Sequence, residues 1–367
     1  MKSLLFSAAL MLALVGCSKK QAPHEPKAIP VHAAKSIAKD VPKYISTVGH
    51  MEAYQIVNVM AQVDGYLMKT YFTDGADVKQ GDLLYLIDQR PYIADLEKAE
   101  GALEESIANL GYAERTAERN SQLVKDEYIS QDQFDSLVTT VMADDATVKQ
   151  NQAAVENAKI NLGYTTIYSP LDARAGETQI YDGNLILENQ ETTLVTLNQI
   201  TPIYSVFFIN EKDLPSVQRY KAKYNDLKVY ITVDDPESPT YEGILTFIDN
   251  GVDISTGMIK LKASHTNNDK VLWPNQYVKV KLVLDVLENA VIVPFESVQT
   301  SPKGKYIYVL KGNQTVELRD VTVGQMQEDN TIVVTKGLRA GEKVITVGQV
   351  NLYPGAKVTV KQSEDEL

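Results

Sequence analysis

The sequence predicts a mainly β protein interrupted by a long α-helical coiled-coil hairpin, with its domains nested in sequence rather than strung end to end. Three observations lead there. Two proline-free stretches in the middle of the chain repeat apolar residues every seven positions. The short β-rich segments on either side resemble each other at one constant offset. After Asn198 the chain reads as one short strand after another. At 367 residues, with 44% hydrophobic and 23% charged side chains, it has room for two or three ordinary globular domains.

Met1–Cys17 reads MKSLLFSAALMLALVGC. Lys2 supplies a positive start, and Leu4–Val15 is an apolar stretch of twelve residues, short for a membrane span but suited to a signal segment. Leu14-Val15-Gly16-Cys17 matches the bacterial lipobox, in which the cysteine thiolate takes a diacylglyceryl group and, after cleavage, its amine takes another acyl chain. Several chains anchor stably where one would be reversible. The sequence therefore predicts a signal peptide over residues 1–16, lipidation at Cys17, and a flexible tether over 17–30, whose three prolines suit no packed core. The alternative is an ordinary signal peptide with a chance cysteine, but this is the chain's only Cys.

In the centre, Leu96, Leu103, Leu110 and Ala117 keep a seven-residue step, with Ile107 and Ala113 beside them, and Phe134, Val141, Val148, Val155 and Leu162 keep the same step after a break. Sustained heptads on two adjacent segments predict antiparallel helices over Tyr92–Lys125 and Gln131–Leu162, each about 50 Å long. Pro91 fits the first turn of the outgoing helix, and Ser130-Gln131-Asp132-Gln133 reads as a capping box for the returning one. Ala99, Asp144 and Asn151 at seam positions predict a thin, imperfect interface.

Flanking this hairpin, Asp64-Gly65 and Asp74-Gly75 recur as Asp172-Ala173 and Asp182-Gly183, 108 residues later in both cases. Asp-Gly suits tight turns that need a positive φ. Two half-motifs separated by the hairpin would pair into one small β-sandwich. Further strands are expected at Ile203–Phe208, Lys228–Val233, Tyr241–Asp249, Met258–Ala263 and Tyr277–Leu284, with a helix near Glu211–Tyr220. A last set includes Ala290–Pro294, Tyr306–Leu310, Val316–Val323, Thr331–Thr335 and Lys343–Val347, and the N-terminal strands around Val31–Val41 and Tyr44–Glu52 are expected to pair with these C-terminal regions.

Composition removes several functions. A net charge of −12 argues against nucleic acid, whose phosphates need a basic face. One Cys allows neither a disulfide framework nor a thiolate zinc site, and His24, His32, His50 and His265 show no ligand spacing, so no metal or cofactor is expected.

Val63-Asp64-Gly65 through Gly75 and Gly81-Asp82, Tyr164-Thr165-Thr166-Ile167-Tyr168-Ser169-Pro170, Phe247-Ile248-Asp249-Asn250 with Thr256-Gly257, Val291-Ile292-Val293-Pro294 and Gly337-Leu338 with Gly341-Glu342 together carry a resemblance. From about Val31 to Val360 the chain resembles the periplasmic adaptors (membrane fusion proteins) of RND-type tripartite efflux pumps, the AcrA/MexA-like family. The resemblance implies a lipoyl-like β-sandwich at 57–91 plus 163–199, a hairpin at 92–162, a β-barrel at 47–56 plus 200–289 and a membrane-proximal β domain at 31–46 plus 290–361. It implies as partners an inner-membrane RND transporter, a TolC-like outer-membrane channel and further copies of the chain in a hexameric ring, with the protein in the periplasm and held on the inner membrane by its lipid. Two positions depart from the family, which usually has Gly where this chain has Ala173 and Asn275. Asn tolerates the left-handed region and Ala less so.

The family's docking tip carries Arg-x3-Leu-x6-Ser, and Arg119, Leu123 and Ser130 stand at that spacing. Arg offers a fork of donors, Leu an apolar knob and Ser an outward hydroxyl. The plainer reading makes Arg119 a solvated charge, Leu123 the last seam residue and Ser130 only a cap. Other functions find less support. A lipoyl or biotinyl carrier enzyme needs a lysine at the turn that the hairpin here replaces, and neither Lys69 nor Lys79 is so placed. An ABC-linked adaptor would usually keep an uncleaved membrane helix. A heavy-metal adaptor could use Met51, Met60 and Met68, which read better as strand gap-fillers.

Overall fold

The computed structural model describes residues 28–188, 192–233 and 239–361. The leader, Cys17 and Asn189-Gln190, the second-copy counterpart of the Gly81-Asp82 turn, lie outside these residues. The chain forms two compact units, one of residues 45–282 and one of the segments up to 44 and from 283 onward.

In the first unit, helix α1 spans Arg90–Lys125 and helix α2 spans Gln131–Tyr164. Pro91 sits in the first turn of α1, where no N–H is needed. Residues from Leu96 to Val124 and from Phe134 to Leu162, taken at alternating steps of three and four, are buried or half-buried, while most of those between them are exposed. That is the coiled-coil seam. Ile107, expected beside it, is instead 52% exposed, because Ser106 takes the inward position and turns its neighbour out. The polar seam residue Asn151 finds a partner across the hairpin, donating from Nδ2 to the Ala102 carbonyl at 3.1 Å.

The two flanking halves form the sandwich, and they do so reciprocally. Asp77 and Val78 pair with Arg174 and Ala173, and the equivalent residues of the repeat, Leu185 and Ile186, pair with Tyr66 and Gly65. Ala175 N–H donates to Ala76 O as Leu67 N–H donates to Asn184 O, both at 2.9 Å. Asp74 accepts from Thr178 N at 3.0 Å, and Asp182 accepts from Thr70 Oγ1 at 2.8 Å. Leu67, Leu84, Tyr85, Ile87, Leu194 and Leu197 fill the core, and the Tyr85 hydroxyl bonds Thr178 Oγ1 and the Leu194 carbonyl. Ala173 lies in an ordinary strand, Ala173–Ala175, so the missing glycine costs nothing there.

The remainder of this unit is β-barrel. Strands Lys228–Thr232, Tyr241–Ile248, Met258–His265 and Thr193–Asn210 follow in hydrogen-bonded order from the start of Tyr277–Pro294. Gly49–Met60 of the long strand Ile37–Met60 pairs with Thr193–Phe207. The expected pairing of Tyr44–Glu52 with the last strands is corrected in its later residues, which pair inside this unit within the 47–56 segment that the resemblance groups with 200–289, and Met51 and Ala53 are buried there. The reciprocal bonds of Met51 with Asn275 and Gln276 (2.8 and 2.9 Å) bring the other side of the barrel to the same strand. Asn275 is left-handed there, φ 66°, as its side chain tolerates. The expected helix is a 3-10 turn, Glu211–Asp213, followed by α3, Leu214–Tyr224, anchored by buried Val217.

In the second unit, Ile29–Lys35 pairs antiparallel with Lys343–Val347 and parallel with Val358–Val360, starting two residues before the expected Val31. Gly304–Leu310 joins Val298–Ser301, Val316–Asp320 and Lys343–Val347. The single strand expected over Val316–Val323 is two, Val316–Asp320 and Thr322–Met326, and the second pairs with Thr331–Lys336. The Gly337–Glu342 loop is pinned by Arg319, whose Nη1 donates to both Glu342 carboxylate oxygens at 2.9 Å.

Candidate docking site at the hairpin tip

The hairpin is held at its base. Gln89 Nε2 donates to Thr165 Oγ1 and Thr166 Oγ1, both at 3.0 Å, and the Tyr92 hydroxyl donates to Asp64 O at 2.7 Å. Among the described residues no such bond to the β domains is made at the other end, where α1 closes, a short turn follows and α2 begins.

The three residues expected at the tip fall as follows. Ser130 caps α2: its Oγ accepts from Gln133 N while Gln133 Oε1 accepts from Ser130 N, each at 3.2 Å. Its side chain is already engaged, and substitution would cost about 1 kcal/mol of helix stability. Leu123 is not the last seam residue. Val124 takes that place, and Leu123 is 40% exposed. Arg119, one helical turn before Leu123 on the same face, is exposed, and its Nη2 donates to Thr116 Oγ1 at 3.3 Å. Arg119 and Leu123 thus share one outward face beside the turn, with Ser130 across it.

The turn brings in residues that sequence reasoning missed. Glu127 is left-handed, φ 60°, and Tyr128 is 77% exposed. The only sequence signal was an aromatic residue between two helix boundaries.

Two concavities elsewhere in the same unit were also unforeseen. A groove of about 240 Å³ opens between the helices at Ala113, Thr116 and Asp144, where the seam is small or polar. A cleft of about 560 Å³ lies between sandwich and barrel, lined by Asp74, Arg174, Ile200 and Trp273 among others. Arg174 stacks over the Trp273 ring at 5.0 Å, and Asp77 bridges Arg174 (3.2 Å) and Lys270 (2.5 Å), tying sandwich to barrel. The Lys270 contact, ahead of burial, holds the Asp77 carboxyl below the usual range. Among the described residues no three His, Cys, Asp or Glu side chains gather as a metal set, and no helix is long and apolar enough to cross a membrane. Of the three methionines expected as strand gap-fillers, only Met51 fills the core, and Met60 and Met68 are instead 44% and 51% exposed.

A split sandwich, a β-barrel and a coiled-coil arm rooted at one sheet define a lipoyl-type adaptor fold. Family models match in succession: the RND MFP barrel-sandwich hybrid domain over residues 55–198, the RND MFP beta-barrel domain over 202–286, and the RND MFP C-terminal permuted SH3 domain over 289–349. The chain belongs to the RND membrane fusion protein family, the adaptors of tripartite efflux pumps. It is 36% identical to the multidrug resistance protein MdtA of Yersinia pseudotuberculosis serotype I (strain IP32953) and 37% identical to that of Yersinia enterocolitica serotype O:8, in each case over 90% of this chain and 75% of the relative. A MacA–MexA chimera carrying the Pseudomonas aeruginosa MexA α-hairpin aligns with TM-score 0.59 and 27% identity. MacA from Actinobacillus actinomycetemcomitans aligns with TM-score 0.62 and 25% identity, and each alignment covers 85% of this chain and 99% of the other. Membership gives the protein the family's role of membrane fusion adaptor and implies a periplasmic location, with an inner-membrane transporter and an outer-membrane channel as partners.

Proposed function

We propose that this adaptor couples an inner-membrane RND transporter to a TolC-like channel for the efflux of drugs or other toxic small molecules, the class named in its multidrug resistance relatives. In this reading Cys17 carries the acyl chains that hold the protein on the inner membrane. Residues 31–46 with 290–361 serve as the membrane-proximal domain, and copies of the chain stand side by side in a hexameric ring. Arg119, Leu123 and Ser130 dock on the channel. The observation that carries the docking assignment is the shared outward face of Arg119 and Leu123 at the far end of a hairpin whose base is bonded to the sandwich.

The test is complementation of a strain lacking the gene. Wild-type chain is expected to restore growth on a panel of structurally unrelated toxic compounds and to co-purify the channel after crosslinking in intact cells. Restoration confined to metal ions would move the pump to the heavy-metal class. Full restoration by a chain lacking the hairpin tip would remove the docking assignment.

A further inference from the structure

We propose that Tyr128 is a fourth docking residue, and that Tyr128 and Leu123 together form the apolar knob that enters a groove between helices of the outer-membrane channel. The inference rests on the tip reading of Arg119, Leu123 and Ser130 and deepens it. It comes from the way α1 ends. Tyr128 N–H donates to Leu123 O at 2.9 Å, and Glu127 N–H donates to Val124 O at 3.2 Å. These two bonds, with a left-handed residue between the helix and Tyr128, are the Schellman closure of a helix C-terminus. The closure brings the residue three before the cap and the residue two after it to one side of the helix end, where an apolar pair frequently makes contact. Here the pair is Leu123 and Tyr128, and it stays uncovered at 40% and 77% exposure.

Two features say that the exposure serves binding. The left-handed position normally belongs to Gly, because a Cβ there costs about 1 kcal/mol. Glu127 holds it instead, at φ 60°. The turn accepts strain and keeps a carboxylate at the residue before Tyr128. Lys125, Asp126 and Glu127 are all exposed, and with Arg119 they set charged side chains around the apolar pair. A central aromatic with a charged rim is the composition of a protein-binding hot spot, and Tyr supplies contact area at a low cost in rotamer freedom. The occupant is the channel, because the channel is the adaptor's outer-membrane partner and the pair continues the surface of Arg119 and Leu123.

The experiment titrates full-length chain against the TolC-like channel of the same host, purified in detergent. Tyr128→Ala is expected to weaken binding about tenfold or more. Tyr128→Phe should stay within about twofold of wild type, because the ring rather than the hydroxyl makes the contact. Glu127→Gly, which relieves the backbone strain but strips the carboxylate from the rim, should melt higher and bind more weakly than wild type. Should Tyr128→Ala lose helical signal in far-UV circular dichroism, Tyr128→Gln replaces it, keeping the methylene stem over the helix end while removing the ring. Binding by Tyr128→Ala or Tyr128→Gln equal to that of Tyr128→Phe, with Arg119→Asp defective, overturns the inference and leaves the tip reading intact. Wild-type binding by Arg119→Asp and Leu123→Ser as well overturns both.

Discussion

Asp172 accepts the main-chain N–H of Gln80 at 2.8 Å, and the same bond recurs 108 residues out of phase, with Asp64 accepting the N–H of Glu188 at 2.6 Å. Each half of the sandwich therefore closes a turn of the other. The two bonds should contribute equally. Asp64→Ala and Asp172→Ala are each expected to lower unfolding free energy by about 1 kcal/mol, since both carboxylates are exposed. Urea titration of the two single variants checks this, and a loss confined to one of them would break the equivalence.

Because these contacts lie outside the hairpin, the sandwich is expected to fold without it. Replacing Tyr92–Leu162 by a short turn should leave a cooperatively unfolding β protein with its helical signal largely gone. Core side chains of the sandwich such as Leu84, Ile87 and Leu194 remain in place in that variant. Global loss of structure in circular dichroism would contradict the nested arrangement.

Arg119 gives the cleanest test of the docking tip. Its side chain donates to Thr116 Oγ1 at 3.3 Å, and a solvated helix charge contributes under about 1 kcal/mol to folding. Arg119→Asp should leave protein level and melting temperature unchanged while abolishing resistance and channel crosslinking. Retained crosslinking would place docking elsewhere.

Cys17→Ser should block acylation and accumulate precursor. Labelled palmitate is the measurement, and incorporation into the Ser variant at wild-type level would remove the lipid anchor.

His265 predicts a pH dependence. It is 2% exposed, shares a 2.9 Å hydrogen bond with Ser205 Oγ, and packs where a Cβ on Gly243 would come within 2.4 Å of its ring. Burial pushes its pKa down from 6.5 to about 4. The unfolded chain therefore takes up the proton first as pH falls. The contribution of His265 is expected to be complete above about pH 6.5 and to fall by about 3 kcal/mol towards pH 4. Unfolding midpoints of wild type and His265→Gln between pH 7.5 and 4.5 check the sign: wild type should lose stability across that window and the variant should lose much less.

The hairpin was legible because its signal is local and periodic. Leu96, Leu103 and Leu110 carry the seam register without reference to any distant residue. The doubled Asp motif was legible too, but its meaning was not, since Asp64 and Glu188 are brought together only by folding. The strand pairing of Gly49–Ala53 misled for the same reason: alternation marks a strand and says nothing of its neighbour. At the tip, spacing picked out Arg119, Leu123 and Ser130 through the family resemblance. Leu123 still looked like seam, because Leu123 and Val124 are both aliphatic and only the three-four stepping assigns Val124 inward. Tyr128 carried no periodicity at all.

The roots of the two helices bear on how the assembly meets mechanical load. α1 leaves the end of strand Leu83–Ile87 and α2 returns into Thr166–Tyr168, and these strands are antiparallel neighbours joined near those ends by the Leu86–Thr166 rung. A pull or push on the hairpin enters both strands together and in the same direction. The hydrogen bonds between them are then not peeled apart one by one. The force passes sideways into Gly65–Thr70, where several rungs resist sliding at once. The hairpin root is braced like a post set between two rails, so thermal buffeting of the arm is opposed by a sheet in shear rather than by its weakest single bond.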